Sequence, residues 1–223
     1  MRIFVPSWVV PGSYLENLRF LEDKPAISGV ELLFFLYDGE TRRLFEEEYD
    51  EIARFKSRFR YTAHLPEPLK AEHQELIDRL SPLVEHFIVH PDGSALFPGK
   101  RFVLENTRLE KFEAALEKLP PDKAVCMDTG HLLLEDKSPA DFLRRYGGRV
   151  KEIHLHGLDR EKALLDEKLP DHRPIKQTDR WLQELLPELA RFDGIINLEV
   201  FSWAEVTESL NHLPWEGSNR FAV

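Results

Sequence analysis

The stretch Val125-Cys126-Met127-Asp128-Thr129-Gly130-His131 begins as an apolar, strand-like run and ends with a carboxylate and an imidazole three residues apart. Both groups bind divalent transition metals. Five further apolar runs end in the same way. His64 closes Phe59–His64, His90 closes Phe87–His90, and Glu105 closes Arg101–Glu105. His154 and His156 end the run from Val150, and Glu199 sits at the end of Ile195–Val200. Glu31 stands in the middle of Val30–Phe35, and Asp171-His172 follow in a polar loop. Five of the nine histidines fall at these run ends.

Carboxylates and imidazoles set among apolar residues are costly to bury without a partner. Period-two alternation places Glu105 on the face of Val103 and Glu199 on the face of Asn197. No Lys or Arg stands at the neighbouring run ends, so a metal is the economical cation. Four histidines (64, 90, 131, 154) and three acids (105, 128, 199) exceed what one tetrahedral zinc takes, about four ligands. Taken singly, each has a plainer reading, as a hydrogen-bonded histidine or a helix cap. That reading is kept for His73, His86 and His212, and Cys126 is read as a small core residue. Seven candidates on consecutive runs three to eight are not explained that way.

The elements that must position these groups alternate. Strands are expected at Ile3–Val5, Val30–Phe35, Phe59–His64, Phe87–His90, Arg101–Glu105, from Val125, at Val150–His156 and at Ile195–Val200. Between them the spacing predicts helices over Tyr14–Leu21, Glu40–Arg58 (Leu44, Ile52 and Phe55 inward), Ala71–Leu83, Leu109–Leu119, Pro139–Tyr146 and Asp179–Arg191 (Trp181, Leu185 and Leu189 inward). Pro91–Lys100 is too short for a full crossover helix. Eight strand–helix units predict one (β/α)8 barrel domain over residues 1–223, with a short connection between strands four and five. An open doubly wound sheet is the alternative. In a barrel, the ligand-bearing strand ends share one rim.

Composition narrows the function. A net charge of −10 lacks the footprint of a nucleic-acid binder and argues against DNA as partner. A single cysteine excludes an intramolecular disulfide and a cysteine-based zinc finger. The longest apolar run, Leu32–Tyr37, is far below the roughly 20 residues of a membrane span. The expectation is a soluble, cytoplasmic protein with no membrane partner.

Leu104-Glu105-Asn106, Met127-Asp128-Thr129-Gly130-His131, Ile153-His154-Leu155-His156 and Leu198-Glu199-Val200 resemble the motifs of the xylose-isomerase-like barrels. That superfamily includes sugar isomerases and epimerases as well as endonuclease-IV-type phosphodiesterases. Its isomerase branch implies one metal on Glu105, Asp128, His154 and Glu199. Its phosphodiesterase branch implies three zinc ions and adds His64, His90, His131 and Asp171-His172. The fuller set favours a metal-dependent phosphodiesterase, in which Glu105, His131 and Glu199 are catalytic as well as ligating and Glu105 bridges two ions. Two or three Zn2+ are expected, with Mn2+ or Fe2+ as substitutes. The stretch from Pro6 to Asn17, with Glu31–Phe35 and Thr62–Pro66, resembles the bacterial cobamide remodelling phosphodiesterases. This implies a small-molecule phosphodiester substrate, the nucleotide loop of a corrinoid. Trp8, Phe35, His156 and Trp203 are the expected substrate contacts, with His156, on the strand face of His154, alternatively a support behind the ligands. The alternatives are a single-metal sugar isomerase or epimerase, an abasic-site endonuclease and a non-enzymatic binding barrel.

Overall fold

Short runs of β-branched and aromatic residues, each bounded by turn residues, become strands that pair side by side with their sequence neighbours. In the computed structural model, which describes residues 1–97, 99–164 and 170–213, these are β1 (Arg2–Pro6), β2 (Gly29–Leu33), β3 (Arg60–His64), β4 (Phe87–Val89), β5 (Phe102–Glu105), β6 (Val125–Asp128), β7 (Val150–His154) and β8 (Ile195–Asn197). All pairs are parallel, and β8 closes on β1, giving the expected (β/α)8 barrel rather than an open sheet. The expected domain also includes residues 214–223, which lie outside the described residues.

The helices are α1 (Tyr14–Leu21), α2 (Gly39–Arg54), α3 (Gln74–Leu80), α4 (Leu109–Leu116), α5 (Thr129–Leu134), α6 (Pro139–Tyr146), α7 (Arg160–Leu164), α8 (Arg180–Leu189) and α9 (Trp203–Leu210). The expectation omitted α5, α7 and α9. The β4–β5 connection is short and carries only a 3-10 segment at Pro91–Leu96. Local chemistry sets the helix starts. Ser13 and Glu16 form a reciprocal capping box on α1, and Asp38 and Ser138 cap α2 and α6.

The main apolar core lies between strands and helices. It includes Phe34, Phe45, Phe59, Phe87 and Phe112, all buried. A separate small cluster of Ile88, Val103 and Cys126 packs elsewhere. By strand alternation these three share the inward face with His90, Glu105 and Asp128. On β2, β3, β7 and β8 the corresponding interior residues are Glu31, Thr62, Glu152 and Asn197, all buried. The interior beneath the rim is therefore apolar on one side and polar on the other. No described helix is long and apolar enough to cross a membrane.

Candidate metal centre

The strand ends deliver their polar side chains to one cavity of about 290 Å³. Its walls include His64, His90, Glu105, Asp128, His131, His172 and Glu199, drawn from β3 round to the segment after β8. Strand β8 stops at Asn197 and β7 at His154, so Glu199 and His156 lie just past the strands. Glu105 is central. Its Oε2 lies 3.0 Å from His64 Nε2 and 3.1 Å from His90 Nε2. Its Oε1 lies 3.3 Å from His154 Nδ1 and 3.8 Å from His131 Nδ1. Glu199 Oε2 sits 3.1 Å from His154 Nδ1 and 3.8 Å from His172 Nδ1. Ligand atoms converge in overlapping groups: His64–His90–Glu105, Glu105–Asp128–His131, Asp128–His154–Glu199 and His156–His172–Glu199.

Main-chain carbonyls select the tautomers, because a carbonyl can only accept. His64 Nδ1 donates to Leu65 O at 3.1 Å, His131 Nδ1 to Asn106 O at 2.9 Å, and His172 Nδ1 to Glu199 O at 3.1 Å. Each ring, when neutral, thus offers a lone pair at Nε2, the arrangement typical of metal-bound histidine. His172 holds a left-handed backbone, φ 52°, and its ring stacks on His156 at 4.3 Å between centroids.

The residues fit a bound metal cation. Buried His154 Nδ1 and Nε2, and Glu199 Oε2, have no aligned hydrogen-bond partner among the described residues. Buried polar atoms are rarely left so. No Lys or Arg lines the cavity, so imidazolium is the available counter-charge without metal. Burial opposes charge on His90, but Glu105 and Glu67 outweigh it and raise the pKa from 6.5 to about 10. Burial likewise opposes charge on His156, yet Asp128 raises it to about 9. Burial would raise Glu105 and Glu199, yet His154 and its neighbours hold both below the usual carboxylate range.

The structure corrects parts of the expected set. His156 is fully buried and does not line the cavity, which places it behind the candidate ligands, the second of its two expected roles. When the ring is neutral its Nδ1 accepts from His172 N at 2.9 Å and the proton sits on Nε2, 3.0 Å from Asp128 Oδ2. His156 therefore braces a ligand. Trp203 is misplaced. It opens α9 and packs edge-on against Phe20, away from the rim cavity. Asp171 lies 4.0 Å from His172 Nε2, outside the converging groups. Phe35 lines the metal cavity and contacts the His64 ring at 4.2 Å. With Phe201 it is shared with a second cavity of about 590 Å³, walled also by Trp8, Tyr14, Leu36 and Leu44.

Several site residues carried no sequence expectation of their own. Asn106 ties β5 to β6: its Oδ1 accepts from Asp128 N at 2.8 Å and its Nδ2 donates to Asp128 O at 2.9 Å. Glu67 lies 2.8 Å from His90 Nδ1. Glu152 is fully buried, with Oε2 2.6 Å from His86 Nε2 and Oε1 accepting from Thr62 at 3.3 Å. Its alternation with His154 was the available signal.

No family model and no curated protein sequence matches the chain. Solved structures do. A probable 3-DHS dehydratase, AsbF, from Bacillus anthracis superposes with a TM-score of 0.67 at 12% identity, over 95% of this chain and 97% of that one. The IOLI protein with a binding zinc atom gives 0.67 at 12%, over 92% and 91%. A sugar phosphate isomerase/epimerase from Parabacteroides distasonis gives 0.64 at 11%, over 96% and 99%. At these identities the likeness establishes a shared barrel fold.

Proposed function

We propose that this chain is a metal-dependent phosphodiesterase that holds two or three divalent ions at the rim of the barrel. The observation that carries the reading is the split of Glu105. One carboxylate oxygen faces His64 and His90, the other faces His154 and His131. A bridging carboxylate between two ligand sets suits more than one ion. Among the described residues, His64, His90, Glu105, Asp128, His131, His154, His172 and Glu199 would hold them, with Asp171 at the margin. Closely spaced divalent ions would supply water activation at neutral pH and charge neutralisation in an in-line phosphoryl displacement. Four carboxylates and no Lys or Arg line the cavity, so bound cations would supply the positive charge that a phosphate needs there. Asn106 and His156 keep Asp128 in place, while Phe35 and Trp8 offer apolar area beside the reacting group. The corrinoid nucleotide loop as substrate rests on sequence resemblance alone.

A second reading has support of its own. The names of the structural neighbours include an isomerase/epimerase and a dehydratase, which favours a sugar isomerase or epimerase over hydrolysis. That chemistry would use one metal on Glu105, Asp128, His154 and Glu199. The test is product analysis of the zinc- or manganese-loaded protein on bis(p-nitrophenyl) phosphate, a cobamide, abasic duplex DNA and ketose sugars. Cleavage of a small phosphodiester, abolished by chelation, is the expected result. Turnover confined to sugars would overturn the proposal in favour of the second reading.

A further inference from the structure

His64, His131 and His172 each anchor one ring nitrogen on a main-chain carbonyl, but His154 does not. It is fully buried, and neither ring nitrogen has an aligned hydrogen bond among the described residues. Its Nδ1 faces the ligand set, 3.1 Å from Glu199 Oε2 and 3.3 Å from Glu105 Oε1. Its Nε2 points down into the barrel, 3.3 Å from Glu31 Oε1 and 3.9 Å from Glu152 Oε1. Glu152 is already engaged by His86 and Thr62. Glu31 is engaged on one side only: Oε2 accepts from Asn197 Nδ2, while Oε1 has no hydrogen-bond partner and is aimed at the ring. Asn197 lies beside His154 in the β7–β8 register, so it steadies the acid that faces the ring.

We infer that Glu31 is the positioning residue for His154, an inference that rests on the metal-centre reading above. A carboxylate that accepts from Nε2–H fixes the proton there, leaves the Nδ1 lone pair facing the rim, and makes that nitrogen a better donor to a metal. The plainer role for Glu31 is a buried staple to Asn197. A staple alone leaves Glu31 Oε1 and His154 Nε2 both unsatisfied, 3.3 Å apart, which buried polar groups rarely tolerate.

Zinc titration by calorimetry or chelator competition decides between them, with 15N spectra of the histidine side chains as a second readout. Glu31→Gln keeps the size and an acceptor but drops the charge; Glu31→Met removes both. Zinc affinity at one site should fall in the order wild type, Gln, Met, by roughly 10–100-fold for the Met variant. In the zinc-loaded wild type the His154 proton should reside on Nε2, and its resonance should move in Glu31→Gln. If Glu31→Met does not fold, Glu31→Gln decides by the same two readouts. Zinc affinity within twofold of wild type and an unmoved resonance, with only a lower melting temperature, would leave Glu31 a staple and overturn the inference. A wild type that binds no zinc would overturn the metal centre itself and this inference with it.

Discussion

A histidine that donates one ring proton to a carbonyl has a single lone pair left to offer, and three do so around the rim cavity. The residues that converge on the cavity were legible in the sequence because acids and imidazoles interrupted apolar runs at their ends. Their supports were not. Asn106 directly follows a candidate ligand and Glu152 precedes one by two positions, but sequence order does not show which groups they brace. The role of His156, and the position of Trp203 away from the rim cavity, stayed open because sequence order does not reveal what lies above a side chain. Two residue-level outcomes follow. His131→Ala should lose one bound ion by elemental analysis and reduce phosphodiester turnover by more than the roughly 10–100-fold typical of losing an outer partner. Asn106→Ala removes the brace on Asp128, so it should keep every ion but bind zinc roughly 10–100-fold more weakly in a competition titration. Unchanged zinc affinity in Asn106→Ala would mean that Asp128 needs no brace.

All eight strands were readable from apolar runs bounded by turns, and α1 and α6 match their expected limits. The helix faces were less so. On α2 the buried residues are Phe45, Tyr49 and Ile52; Leu44 is only half-buried, as is Phe55, which lies just past the helix in a 3-10 turn. On α8, Leu182 takes the place expected for Trp181. Adjacent large apolar residues make a one-position rotation hard to see. The short helix α5 was missed because Leu132–Leu134 has no helical period, yet it has a clear cause: Asp128 accepts from His131 N at 2.7 Å and caps it. Within this turn, a Cβ on Gly130 would lie 2.0 Å from His156 Cε1. His156 is buried against Asp128 and has no room to withdraw. Gly130→Ala should therefore destabilise the metal-free protein by roughly 1–3 kcal/mol in denaturant titration, and weaken zinc binding as well. Wild-type stability in that variant would show that the turn relaxes freely.

At the scale of the whole molecule, the closed barrel gathers charged groups that it can keep together only with cations or protons. Without metal, His90 and His156 carry pKa values raised to about 10 and about 9, so their contribution is complete below about 6.5 and is lost as pH rises through 9 and 10. Glu105, Asp128 and Glu199 are lowered, so theirs is present above the ordinary carboxylate range and is lost in acid. The metal-free protein should therefore melt highest near pH 5–6, and by pH 9 its midpoint should fall by on the order of 5 °C. The zinc-loaded protein should show the opposite slope over the same window, because ligating histidines must be deprotonated. Parallel slopes in paired melting curves would contradict this. The most direct test of the central claim is the number of ions per chain, measured by elemental analysis on protein loaded with zinc and freed of excess. The split of Glu105 between two ligand sets predicts two or three per chain, one fewer in His131→Ala. A single ion, retained in full by His131→Ala, would contradict the account.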